Sequence, residues 1–418
     1  MDTHLLPRTP VTAIGAALRA PDGMADGEVV TIDGVAMVCQ TFTWRRRQAG
    51  THVMLYLEGF VDNHRGNIVP ALMEPVDHCP PSRHMPGTEP PRETAENGAD
   101  MRKRVLLPAD GTIAYAFVED ATLPPDAGAQ RSGWLRVRDL AQPDAAADER
   151  IISGATSLFS VWRGPEAPAP MRFPAPFDDL DDGGAGAAED GWTLVHDTRD
   201  ARDAEPTNAR ADAESGRDYW MWGRPDARWW VVLHDGQTWW RNRLGHALGA
   251  LGREDVAVVA VDSGSMAQRA ADLTDPERAT ALTARALAIA GDYAEHPIAP
   301  DQAICSGQSF GGLAALSPLV TGAGLADTCL AQSPSLWFGN PDGRGGPHMR
   351  LAASQDLRGR TISIEVGAHE HPMTTNALRF AEVAEANGAT VRINQFRGAH
   401  STACWRDRLL AFLANLPR

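Results

Sequence analysis

The sequence lacks several features that would assign it to a common functional class. No apolar run approaches the ~18 residues that a membrane-spanning helix needs. The 5 cysteines are scattered without a Cys-x-x-Cys pair, which argues against a disulfide framework and against a zinc site. The beginning of the chain lacks the basic residues and the apolar core of a secretory signal. We therefore expect a cytoplasmic protein that does not insert into a membrane.

Basic residues are also fewer than acidic residues. The chain has 39 lysines and arginines against 54 acidic residues, a formal net charge of −15. This balance argues against nucleic acid as the main partner, and an anionic ligand would need a local group of arginines. The 418 residues, 43% of them apolar, are enough for two domains with sizeable cores. The sequence gives no indication of the oligomeric state.

The first half of the chain reads as an all-β module. Segments such as EVVTIDGVAMVCQTFTW, THVMLYLEGF and TIAYAFVE are rich in β-branched and aromatic residues with alternating polarity, and no long amphipathic helix precedes residue 150. We predict a β-sandwich domain over residues 1–163. Residues 164–215 are rich in proline, glycine and acidic residues and are predicted to be a linker region.

The remaining residues, 216–418, alternate between apolar strand-like segments and helices. Examples are ARWWVVLHDG, then WRNRLGHALGALG, then VAVVAVD. Such alternation is typical of a mostly parallel sheet with helices on both faces. The predicted fold class is therefore α/β, with an α/β-hydrolase type of domain following the β-sandwich.

One motif in this second half points to chemistry. The stretch AICSGQSFGGLAAL, residues 303–316, carries Gly-x-Ser-x-Gly between a predicted strand and a predicted helix. This is the nucleophile-elbow pattern, in which glycines permit a strained turn that exposes the serine. The helix that follows also favours negative charge near the serine. We predict that Ser309 is a nucleophile.

The motif requires an acid and then a histidine after later strands. Glu370 follows the strand TISIEVG, and His400 follows TVRINQF, in the required order. Glu370 would orient the imidazole of His400, which would move the proton of Ser309. Glu365, inside the same strand, is the alternative acid.

An oxyanion hole needs two backbone N–H groups. The residue after the nucleophile, Phe310, supplies one, and the early loop VVLHDGQTWW suggests Gln237 for the other. Histidines such as those in HCPPSRH and AHEH lack a convincing metal-ligand spacing with a fourth partner. No metal or cofactor is expected.

With these residues assembled, the chain resembles the enterochelin (ferric enterobactin) esterase family, of the esterase-D type. The segments that carry this resemblance lie along nearly the whole chain, and they are FTWR at 42–45, LEGFVDNHR at 57–65, LHDGQTWW at 233–240, VDSGSMAQRAADL at 261–273, GQSFGGLAAL at 307–316, QSPSLWF at 332–338, VGAHEHPM at 366–373 and GAHSTACWRDRL at 398–409. The family's serine, acid and histidine fall on Ser309, Glu370 and His400. QSPS stands where the family usually has QSGS.

The resemblance implies a small-molecule substrate, a ferric tris-catecholate trilactone cleaved at its serine esters, with iron arriving only as part of that substrate. Such a trianion with aromatic faces would need arginines and aromatic side chains. The substrate contacts expected on this basis are Arg269, Trp239, Trp337 and Arg65. Two other interpretations stay open: an esterase or acyltransferase acting on feruloyl, S-formyl or other acyl esters, and a non-catalytic binding protein with the same fold.

Overall fold

A computed structural model describes most of the chain. The described residues are 2–9, 17–48, 50–60, 68–76, 100–124, 126–127, 129–153, 157–168, 176, 185–198, 216–340 and 345–418. They form two compact units, one spanning 7–168 and the other combining 1–6 with 169–418. Within the described residues, no helix is both long and apolar enough to cross a membrane.

The strands of the described residues are, in chain order, β1 Asp2–His4, β2 Leu18–Arg19, β3 Val29–Ile32, β4 Val35–Arg45, β5 His52–Leu57, β6 Glu74–Pro75, β7 Asp100–Pro108, β8 Thr112–Asp120, β9 Ala141–Gln142, β10 Arg150–Ser153, β11 Ser157–Arg163, β12 Thr193–Asp197, β13 Arg217–Trp222, β14 Trp229–His234, β15 Val256–Val261, β16 Ala303–Gln308, β17 Thr328–Gln332, β18 Thr361–Gly367 and β19 Thr390–Phe396. The α-helices are α1 Arg131–Asp139, α2 Ala185–Glu189, α3 Gly236–Arg241, α4 Leu244–Leu251, α5 Met266–Thr274, α6 Pro276–Tyr293, α7 Phe310–Val320, α8 Pro347–Ser354, α9 His371–Ala386 and α10 Thr402–Ala414, and a 3-10 turn covers Val69–Ala71.

The unit 7–168 consists of two antiparallel sheets. One has the order β10-β11-β8-β5 with β9 on β8, and the other has the order β2-β7-β4-β3 with β6 on β7. Aromatic rings from β4 and β8 meet between the sheets: Phe42 lies 4.8 Å from Tyr115, and Trp44 lies 4.8 Å from Phe117, measured between ring centroids. Strand β8 is buried on both faces, and Trp134 of α1 stacks on Tyr56 of β5 at a centroid distance of 5.3 Å. The predicted β-sandwich is confirmed, and it carries a helix, α1, that the all-β expectation does not include.

The larger unit is built on a nine-stranded sheet with the order β1-β19-β18-β17-β16-β14-β15-β13-β12. Neighbouring strands are parallel from β1 through β15, whereas β13 and β12 are antiparallel to their neighbours. The central strands are apolar on both faces. Val231 and Leu233 pack with α3, α4 and α10, while Trp230 and Val232 pack with α6. Helices therefore cover both faces, and the predicted α/β class is confirmed.

Two strands of this sheet lie outside the range 216–418 that the sequence assigns to the α/β domain. β1 comes from the first residues of the chain, and β12 comes from within the predicted linker 164–215. β12 is anchored by Asp197, whose carboxylate is paired with Arg285 of α6. The described part of the predicted linker thus contains an edge strand.

The parallel strands bring one polar residue each to the same edge of the sheet. Asp235 follows β14, Ser309 follows β16, Ser333 follows β17, Glu370 lies three residues beyond β18, and His400 lies four residues beyond β19. Because the carboxyl ends of parallel strands share an edge, residues far apart in the sequence meet there.

Candidate active site

Ser309 occupies a strained turn between β16 and α7. Its backbone φ of 58° and ψ of −117° lie in a region that residues with a side chain rarely adopt. The flanking residues must be glycines because neighbouring atoms leave no room for a side chain. A Cβ at Gly307 would lie 2.4 Å from the carbonyl oxygen of Gly311, and a Cβ at Gly311 would lie 3.1 Å from an oxygen of Asp235. The Gly-x-Ser-x-Gly spacing therefore exists to make this turn possible.

The hydroxyl of Ser309 lies 3.4 Å from the hydroxyl of Ser335. Among the described residues, no hydrogen bond joins Ser309 to His400 in this conformation. Catalytic hydrogen bonds of this kind are often long in the absence of substrate and shorten when substrate binds.

Glu370 and His400 form the close pair that the sequence predicts. The Nδ1 of His400 lies 2.6 Å from Oε1 of Glu370, and the backbone N–H of Gly367 donates to Oε2 at 2.8 Å. The side chain of Glu370 is 6% exposed, while that of His400 is 39% exposed. An ionised carboxylate only accepts hydrogen bonds, so Nδ1 carries the proton and Nε2 is left as the basic nitrogen.

The alternative acid, Glu365, is bonded to Arg408 and Asn394. Its two carboxylate oxygens accept hydrogen bonds from Arg408 at 2.9 and 3.0 Å, and Asn394 donates to one of them at 3.2 Å. Burial raises the pKa of Glu365, and the Arg408 guanidinium opposes that rise. Glu365 thus anchors α10 to β18, and the structure pairs His400 with Glu370.

Next to this pair, His369 is uncharged at neutral pH. Burial, with a smaller contribution from Arg397, lowers the pKa of His369 to about 3. An uncharged His369 therefore adds no second positive charge beside the carboxylate of Glu370.

The two candidate oxyanion donors lie at helix starts. Phe310 begins α7, and Gln237 is the second residue of α3. Neither backbone N–H has a hydrogen-bond partner among the described residues, as expected for the first turn of a helix. Strands β14 and β16, which precede these helices, are neighbours in the sheet.

Arg269, expected to contact substrate, is instead paired with Asp235. Its Nε and Nη2 donate to the two oxygens of Asp235, both at 2.7 Å, and the hydroxyl of Ser263 bonds to the same carboxylate. The guanidinium also lies over the ring of Phe310, 5.2 Å from its centroid. Asp235 has a left-handed φ of 59°, so the pair holds the strained start of α3. Arg269 therefore supports the loop that leads to Gln237, a candidate oxyanion donor.

The expected aromatic contacts divide into one accessible and one buried side chain. Trp337 is 48% exposed and forms an aromatic group with Phe310 and Phe338, at centroid distances of 6.3 and 6.0 Å. Trp239 is 0% exposed and packs in the core between the sheet and α4, so the expectation of a substrate contact there is wrong. Arg65 lies outside the described residues.

Two residues outside the predicted set of site residues contact Glu370 and His400. Ser333 donates to Oε2 of Glu370 at 2.7 Å, and the indole N–H of Trp405 donates to Ser333 at 3.0 Å. The rings of Trp405 and His400 also meet edge to face, with a centroid distance of 4.6 Å and an interplanar angle of 87°. Ser333 could have been identified by position, since it follows the strand between those that lead to Ser309 and Glu370.

Within the described part of the chain, no group of three or more His, Cys, Asp or Glu side chains is arranged to hold a metal ion. The four described cysteines, Cys39, Cys305, Cys329 and Cys404, are buried free thiols.

Comparisons with known proteins agree with this arrangement. Residues 230–416 match the model of the Esterase family, described as "Putative esterase". Among solved structures, the enterobactin esterase of Shigella flexneri, in the presence of enterobactin, is 18% identical with a TM-score of 0.68, and 93% of this chain and 95% of that chain are covered. The ferric enterobactin esterase of Salmonella typhimurium is 20% identical with a TM-score of 0.68, over 93% and 95% of the two chains. No curated protein sequence matches.

The identities are low, so the structural likeness establishes the fold, while the family match locates the esterase region. Residues 230–416, a little under half of the chain, therefore match the Esterase family model, and over 93% of its length the chain has the fold of the enterobactin esterases.

Proposed function

We propose that this protein is a serine esterase that hydrolyses the ester bonds of a catecholate trilactone siderophore in its ferric form, in the cytoplasm. The observation that carries the proposal is the Glu370–His400 hydrogen bond of 2.6 Å at the same sheet edge as the strained Ser309. The likeness to enterobactin esterases over both units supports the choice of substrate.

In the proposed mechanism, Nε2 of His400 removes the proton of Ser309 as Oγ attacks the ester carbonyl carbon. Glu370 holds Nδ1 and stabilises the imidazolium that forms. The N–H groups of Phe310 and Gln237 donate to the oxygen that becomes negative in the tetrahedral intermediate. The strained backbone keeps Oγ at the open edge of the sheet.

The tetrahedral intermediate then collapses. The C–O bond to the departing serine residue of the trilactone breaks, and His400 returns its proton to that oxygen. Water, deprotonated by the same imidazole, attacks the acyl-enzyme and releases the carboxylic acid and free Ser309. Each ester is cut without metal or redox chemistry, and iron stays with the catecholate oxygens.

Trp337 supports an aromatic substrate. It is the large exposed aromatic side chain beside Phe310, the residue after the nucleophile. A catecholate ring can stack on it at low entropic cost, since an indole has few rotatable bonds.

The test is product analysis by liquid chromatography after incubation with ferric enterobactin, with the Ser309→Ala variant alongside. Linear trimer, dimer or monomer from the wild type alone would support the proposal. Retained cleavage by the variant would overturn the mechanism. Hydrolysis of p-nitrophenyl acetate but not of the siderophore would favour an esterase that acts on another acyl ester.

A further inference from the structure

We propose that Ser333 and Trp405 are positioning residues that hold Glu370 against His400 through a directed chain of hydrogen bonds. The inference deepens the proposed function, since it rests on Glu370 and His400 being the acid and the base. It concerns side chains that do not touch the substrate.

The direction of the chain follows from the groups involved. The indole nitrogen of Trp405 can only donate, so at 3.0 Å it donates to Oγ of Ser333. The single proton of Ser333 is then available to Oε2 of Glu370 at 2.7 Å. Oε1 of Glu370 receives the Nδ1 proton of His400. Every donor in the chain thus points toward the carboxylate.

Trp405, at one end of this series of hydrogen bonds, also contacts His400 at the other end. The rings of Trp405 and His400 meet edge to face, so one side chain supports both members of the pair. Trp405 is itself fixed, because the side-chain amide of Gln332 donates to its carbonyl oxygen at 2.7 Å. Gln332, the last residue of β17, and Ser333, which follows it, thus hold Trp405 at two points, its backbone carbonyl and its indole N–H.

The backbone at Ser333 indicates that its position is constrained. Its φ of 42° is left-handed, which is unfavourable for a residue other than glycine, asparagine or aspartate. The backbone N–H of Ser333 donates to the carbonyl of Glu365 at 2.7 Å, which holds this conformation. A strained residue fully buried beside an acid is expected where the hydroxyl must occupy one position.

The test compares Ser333→Ala, Trp405→Phe and the double variant, with p-nitrophenyl acetate as the substrate. Phenylalanine keeps an aromatic ring and loses the N–H donor. We expect kcat to fall ~10- to 100-fold in Ser333→Ala with little change in KM, since a hydrogen bond to a charged group is lost. Trp405→Phe is expected to lower kcat less. The double variant should match Ser333→Ala, because the indole N–H acts only through the hydroxyl.

A second readout does not depend on activity. The proton between His400 and Glu370 should give a low-field ¹H NMR signal, which His400→Ala removes. We expect this signal to shift or broaden in Ser333→Ala. The matched control is Ser317→Ala, which removes a buried hydroxyl of α7 that is bonded to His348 of α8, away from the pair. The control should lower the melting temperature and leave both kcat and the low-field signal unchanged.

Unchanged kcat together with an unchanged low-field signal in Ser333→Ala would overturn the inference, as would fully additive losses in the double variant. If the wild type cleaves no ester while its low-field signal still depends on Ser333, the proposed function fails and the positioning role stands.

Discussion

Two carboxylates at the same edge of the sheet are used in opposite ways. Asp235 follows β14 and is gripped at both oxygens by Arg269, and Glu370 follows β18 and is bonded at one oxygen to His400. Both carboxylates are buried, with side chains 3% and 6% exposed. The difference lies in the partner: a guanidinium only donates hydrogen bonds, whereas an imidazole also has a basic nitrogen that can accept and return a proton. The first pair can therefore only fix a loop, and the second can take part in proton transfer.

The largest expected effect concerns Ser309, the nucleophile that the Glu370–His400 pair is proposed to activate. Ser309→Ala should lower kcat for p-nitrophenyl acetate by ~10⁴-fold or more, because no other group forms the acyl-enzyme. The melting temperature should change little, since alanine keeps the Cβ and removes a hydroxyl with one weak partner at 3.4 Å. Steady-state kinetics and thermal unfolding measure the two quantities. Activity within tenfold of the wild type would exclude Ser309 as the nucleophile.

The next prediction compares two glutamates five residues apart. Glu370→Gln should lower kcat ~10²- to 10⁴-fold, because a neutral amide cannot stabilise the imidazolium and can favour the wrong tautomer of His400. Glu365→Gln is the matched control, with the same chemical change in the same segment. Its kcat should stay within a few-fold of the wild-type value. Its free energy of unfolding should fall by ~2 kcal/mol, since Arg408 loses its anionic partner. The reverse result would make Glu365 the acid.

The Asp235–Arg269 pair gives a smaller and different effect. Arg269→Ala leaves a buried carboxylate unpaired and should lower the free energy of unfolding by about 3 kcal/mol. We also expect kcat to fall ~10-fold at a temperature where the variant is folded, because the strained start of α3 carries a proposed oxyanion donor. Arg285→Ala, which breaks the pair with Asp197 on β12, is the control for stability alone. Equal kcat losses in both variants would show that the effect at Arg269 is not local.

These pairs also show where sequence reasoning succeeds. The strands from β14 to β19, the glycines around Ser309, and the places of Glu370 and His400 after their strands could all be predicted. They depend on local patterns and on the rule that parallel strands end at one edge. The strain at Ser309 follows from the same motif.

What could not be predicted is the direction in which each side chain points. Trp239 belongs to a motif next to the oxyanion loop, yet helix α3 turns its indole into the core. Arg269 is expected from the resemblance to contact substrate, but its guanidinium pairs with Asp235, 34 residues away. Ser333 lies in the segment QSPSLWF, but its role depends on a hydrogen bond to a residue 37 positions later. Such pairings depend on tertiary packing, which a linear pattern does not contain.

The smallest predicted effect concerns recognition of the substrate. Trp337→Ala removes an exposed ring that touches only Phe310 and Phe338 among the aromatic side chains described, so stability should change by less than ~1 kcal/mol. KM for the ferric siderophore should rise ~3- to 10-fold, because stacking on the indole is lost. The kcat/KM for p-nitrophenyl acetate should stay at the wild-type value, because this ester is too small to need the indole. Kinetics with both esters separate the two outcomes. An equal fall in kcat/KM with both esters would mean that Trp337 supports Phe310 and the turn at Ser309. Trp337 would then have a structural role, as Arg269 does, and would not be a substrate contact.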